Sequence, residues 1–116
     1  MRARARVASA PWAALVGAAA AIALAATAAF GQDGGALASR GKILFTEQGC
    51  HGCHTIGKMG TPIANDLSQV GSKYPENYLR QWLSEPQQQK PRAHMPKIQL
   101  AEAEARALAA YLASLK

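Results

Sequence analysis

From about Leu37 onward, apolar residues recur every three or four positions in three separate stretches, the spacing of one buried face on a helix. Leu37, Gly41, Leu44 and Phe45 share such a face, predicting a first helix from about Ala36 to Gln48 with Gly49 placed to end it. Tyr78, Leu79, Trp82 and Leu83 predict a second helix, with Pro75 suited to its first position and Pro86 to its end. Leu108, Tyr111, Leu112 and Leu115 predict a third, from about Leu100 to Leu115, with Glu102 and Arg106 as an i, i+4 pair on its wet side. Between the first two, Thr55 to Lys73 is rich in turn formers and reads as a long loop. A second loop, "PQQQKPRAHMPK", is stiffened by Pro86, Pro91 and Pro96 around Met95. No run of alternating β-branched residues predicts a strand, so the fold class is all-α.

The head of the chain follows a different pattern. Arg2, Arg4 and Arg6 precede the uncharged run Ala13 to Phe30, and "QDGG" at Gln32 to Gly35 reads as a linker. Residues 1–31 are therefore expected to be a signal peptide, cleaved after Ala28 or Gly31, or an N-terminal membrane anchor; residues 32–116 form the domain. Either reading implies export, to the periplasm or the outer face of the cytoplasmic membrane.

Removing the leader also changes the charge. Of thirteen basic residues three lie in the leader, leaving ten against seven acidic ones. That small excess, with no interleaving of aromatic and basic residues, excludes a nucleic-acid binder. A domain of this size is marginal without a disulfide, a metal or a bulky cofactor to complete its core.

The candidate for that role is "GCHGCHTIG", which holds both cysteines of the chain, Cys50 and Cys53, with His51 and His54. A thiol-disulfide enzyme with this spacing needs strands around it, and a structural zinc site needs a second ligand pair, whereas the only other histidine is His94. Cys-x-x-Cys-His is the more specific reading. Two thiols at this separation reach the two vinyl groups of one haem, and the next residue aims its imidazole at the iron. His54 is then the proximal ligand and His51 a solvent-facing spacer. Met59 is too close in sequence to reach the opposite face of the ring. Met95 has the chain length to cross, Pro96 fixes the backbone beside it, and His94 is its rival.

Gly41 and Phe45, Cys50 to His54, Tyr78-Leu79 with Trp82-Leu83, Met95-Pro96, and Leu108 with Tyr111-Leu112 together resemble the small class I mono-haem c-type cytochromes, over about Ala36 to Leu115. The resemblance implies three main helices and long loops wrapped around one covalently attached haem c. It also implies that the first and last helices cross at Gly41 and Tyr111, and that His54 and Met95 are the axial ligands. In many relatives a proline ahead of an Asn-Leu or Asp-Leu pair accepts the proximal histidine's N–H; here Ala64 stands before Asn65-Asp66-Leu67 and the proline is displaced to Pro62, so Pro62 or a nearby backbone carbonyl is expected to take that role.

An iron with two protein ligands has no open position, so the expected function is outer-sphere electron transfer at the high potential that a thioether ligand favours, not catalysis. Expected partners are redox proteins, such as a membrane oxidase or an exported dehydrogenase, met through brief encounters steered by Lys58, Lys73, Lys90, Arg92 and Lys97. The alternative is the haem subunit of a larger exported oxidoreductase. Contact with the membrane is expected only through an uncleaved anchor.

Overall fold

A computed structural model describes residues 33–116. The leader expected over residues 1–31, with its cleavage points, lies outside the described residues. Helix α1 covers 33–47, so the chain is already helical where the sequence predicts a linker. A 3-10 turn at Cys50–Gly52 is followed by two-residue strands β1 (Thr55–Ile56) and β2 (Met59–Gly60), then α2 (Val70–Lys73), α3 (Glu76–Ser84), α4 (Pro86–Gln89) and α5 (Glu102–Ala113). The strands pair antiparallel, Thr55 with Gly60 and Ile56 with Met59. This ladder departs from the strandless expectation, but it is only the stem of a tight turn and the domain remains helical.

The apolar faces read from the sequence meet in one core. Leu44, Phe45, Leu79, Leu83, Leu108 and Leu112 are buried together, and α5 packs against both α3 and α2. The crossing of α1 and α5 depends on Gly41. A Cβ there would sit 2.0 Å from the Ala107 carbonyl oxygen and 2.6 Å from the Tyr111 Cβ, so only glycine permits the approach. One turn further on, Phe45 meets Tyr111 edge to face at 6.1 Å.

Two proline expectations shift by a residue or a role. Pro75 is the N-cap of α3 rather than its first residue, with extended ψ of 158°. Pro86 does not merely stop α3: it is buried and opens the short helix α4, because a proline at the first helical position lacks only an N–H that has no intrahelical partner. The expected Glu102–Arg106 pair is replaced by Glu102 with Arg80 of α3 at 3.2 Å. Tertiary packing places the α3 guanidinium within reach of that carboxylate. Helix α5 starts after Ala101, whose backbone N–H is capped by Glu104 at 3.0 Å.

Candidate functional site

The motif hangs from the end of α1. Gly49 adopts φ 72°, a left-handed conformation that costs glycine little, and this turns the chain out of the helix into the 3-10 turn. The Cys50 carbonyl then accepts the N–H groups of Cys53 at 3.3 Å and His54 at 3.0 Å, which fixes the two cysteines and the histidine on one turn of backbone. Cys50 is half-buried against the core and Cys53 is exposed. Burial pushes the Cys50 thiol above its ordinary value, although a hydrogen bond from its own backbone works the other way. A redox dithiol needs the opposite, a depressed thiol, so the environment disfavours that reading.

The acceptor for His54 is a backbone carbonyl near Pro62 rather than that of Pro62 itself. His54 Nδ1–H donates to the Asn65 carbonyl at 2.7 Å, which leaves Nε2 as the ring nitrogen with a lone pair to offer. That carbonyl is held by its neighbours. Asp66 accepts from the Ser68 hydroxyl at 2.6 Å and from the Ser68 N–H at 2.8 Å, and Ser68 Oγ accepts the Gly57 N–H at 2.7 Å. The Ser68 hydroxyl, then the Ser68 N–H, holds the Asp66 carboxyl below the usual carboxylate range. The loop returns over the cysteine turn through Thr61 N–H to the His51 carbonyl at 3.0 Å and Ala64 N–H to the Cys53 carbonyl at 2.7 Å.

His51 is consequently not the solvent-facing spacer expected from the sequence. It is half-buried, and its Nδ1 is enclosed with no hydrogen-bond partner among the described residues. Met59 lies in β2 and is 41% exposed.

Met95 is held from both ends. Its sulfur accepts the Trp82 indole N–H at 3.1 Å, and its backbone carbonyl accepts from the Gln87 side-chain amide at 3.1 Å. The same amide nitrogen donates to the Ala93 carbonyl at 3.3 Å. Beyond Pro96, Lys97 is ion-paired with Glu85. Met95 is half-buried against the core, while His94 is exposed. Trp82 ends an aromatic row that starts just before α3: Tyr74 stacks on Tyr78 at 4.8 Å, Tyr78 lies 6.4 Å from Trp82, and Lys90 sits 6.0 Å from the Trp82 ring.

These residues fit a haem by their donor chemistry. They supply two thiols one turn apart, one imidazole whose Nε2 is left free by a bond at Nδ1, and one thioether sulfur fixed by an indole. A closed zinc site is not an alternative among the described residues, since no three histidine, cysteine or acidic side chains converge there. Sequence reasoning did not single out Asn65 among the backbone carbonyls near Pro62, and it missed Gln87, which has no motif, and the Trp82–sulfur bond, for which only the helical spacing of Trp82 gave a hint.

A family profile described as Cytochrome c matches residues 38–116. The chain is also similar to cytochrome c oxidase subunit 2 of Alkalihalophilus pseudofirmus, with 36% identity over 89 residues, covering 69% of this chain and 26% of that protein. It thus spans about a quarter of that relative's length. No solved structure is significantly similar.

Proposed function

The chain belongs to the cytochrome c family, and on that premise we propose that it is an exported one-electron carrier with a single haem c, joined through Cys50 and Cys53 and ligated by His54 and Met95. The observation that carries this reading is the pair of prepared ligands, His54 turned by the Asn65 carbonyl and Met95 sulfur held by Trp82. The haem would supply a one-electron ferric/ferrous couple, and the polypeptide does the rest. Asn65 fixes the tautomer of His54 and raises its basicity. Trp82 occupies one sulfur lone pair of Met95 and leaves the other for iron. His54 and Met95 would together hold the iron from the chain, leaving no place for a substrate on it, and the chemistry supplied would be electron transfer alone.

Docking to a partner is favoured near the Cys53 end. Cys53 is exposed, Ile63 donates its N–H to the Cys53 carbonyl at 3.2 Å and is itself 73% exposed. An apolar spot of this kind suits a brief redox encounter, and the exposed cations Lys58, Lys73 and Arg92 suit an acidic partner face. Lys97 is committed to Glu85 and Lys90 to Trp82, so steering falls mainly to the other three.

The reading is tested on natively matured ferric protein by its near-infrared spectrum. A weak methionine-to-ferric charge-transfer band that is lost in Met95→Ala is expected. Its absence from the parent protein, or a high-spin ferric spectrum, contradicts the assignment. The likeness to an oxidase subunit favours a second reading, a haem subunit within a larger exported oxidoreductase such as a membrane oxidase. Recovery from native membranes as a free small protein would exclude it.

A further inference from the structure

Two adjacent residues, His94 and Met95, carry side chains able to bind haem iron, and something must choose between them. We infer that Gln87 makes the choice, by clamping the backbone of this segment in the register that turns Met95 inward and His94 outward. The inference rests on Met95 being an axial ligand, as proposed above. Both hydrogens of the Gln87 amide nitrogen are used on the segment, one on the Ala93 carbonyl at 3.3 Å and one on the Met95 carbonyl at 3.1 Å. Carbonyls two residues apart are thereby drawn to one side. The residues follow with alternating exposure: Ala93 and Met95 are half-buried and His94 between them is exposed.

Successive side chains on a non-helical segment point to opposite sides, so a slip of one residue would exchange His94 for Met95. Neither ligand's own chemistry prevents that exchange, because imidazole and thioether both bind haem iron. The Trp82 N–H favours Met95 at the sulfur, but an indole N–H can be given up when the side chain rotates. The amide clamp acts on the backbone and therefore on the register itself. It is anchored on α4, whose first residue, Pro86, is buried, so the clamp has a fixed base. Gln87 is thus a positioning residue, acting on the iron through the segment it holds.

The test uses haem-loaded, natively matured protein carrying Gln87→Glu. The ionised carboxylate has nearly the same shape but no N–H, and its oxygens face the two carbonyl oxygens. Gln88→Glu places the same charge on the same helix at an exposed position and serves as the control. Near-infrared absorption of the ferric form and the reduction potential are read together. Each lost N–H···O bond shifts the Met95-to-His94 ratio roughly fivefold, about 25-fold for the pair. In Gln87→Glu the methionine band weakens and a second, lower-potential component appears, as expected for two imidazole ligands. Adding His94→Ala to that variant removes the second component. The inference is overturned if Gln87→Glu and Gln88→Glu give the same band and potential, or if the low-potential component survives without His94. A parent protein lacking the methionine band would overturn the Met95 reading itself, whereas a parent with the band and an unaffected Gln87→Glu overturns only the clamp.

Discussion

A thioether sulfur that accepts a hydrogen bond is a weaker donor to iron than one that does not. With Met95 as the proposed iron ligand, the Trp82 indole N–H, 3.1 Å from its sulfur, would withdraw density that otherwise stabilises the ferric state more than the ferrous. Trp82→Phe keeps most of the packing and removes the donor. Its reduction potential should fall by about 40 mV, the one-electron equivalent of a hydrogen bond worth ~1 kcal/mol; equilibrium redox titration measures it, and an unchanged or raised potential would contradict the role. At this scale the sequence was legible where chemistry sits in side chains. Cys50, Cys53, His54 and Met95 stand out as candidates because their spacing and residue types are uncommon. The Asn65 carbonyl does not, since every residue carries one and only the folded loop selects it. Gln87 was hidden for a related reason: Gln87, Gln88 and Gln89 are indistinguishable in sequence, and only the direction of the α4 turn separates them. The partial burial of His51, expected to face solvent, was not legible because it depends on the folded loop around the cysteine turn and leaves no sequence pattern.

The elements were easiest to read where one face carries large apolar residues. The predicted faces of α1, α3 and α5 are those that meet in the core. The short pieces were harder, because α2, α4 and the β1–β2 ladder span two to four residues each and are too brief to show a period. Their stability comes from what they touch. The α2 end is tied to the C-terminus by Gly71 N–H to the Leu115 carbonyl at 2.8 Å. The helix crossing yields a sharper consequence. Gly41→Ala must displace the Ala107 backbone or separate α1 from α5, and overpacking of this kind costs about 1–3 kcal/mol. Denaturant unfolding of the haem-loaded protein should show that loss with little change in reduction potential, since Gly41 touches none of the residues assigned to the haem. An unaltered midpoint would mean that the helices do not cross at Gly41.

For the whole molecule, the core and the site share members. Cys50 and Met95 both pack against the buried cluster, so what completes the site also completes a small hydrophobic interior. Among the described residues no helix is long and apolar enough to cross a membrane. Fold class and family were readable from the sequence because three amphipathic helices and one Cys-x-x-Cys-His motif leave few alternatives, and the family match spans 38–116. Partners were not readable, since docking depends on which cations remain unpaired after folding, and the Lys97–Glu85 pair joins residues twelve apart. The central claim, a single haem held covalently by Cys50 and Cys53, is tested most directly by the intact mass of the natively matured protein under denaturing conditions. The expected mass is that of the mature chain plus one haem, lost when both cysteines are replaced by alanine. A bare chain, or a chain lighter by the two hydrogens of a disulfide, would contradict it.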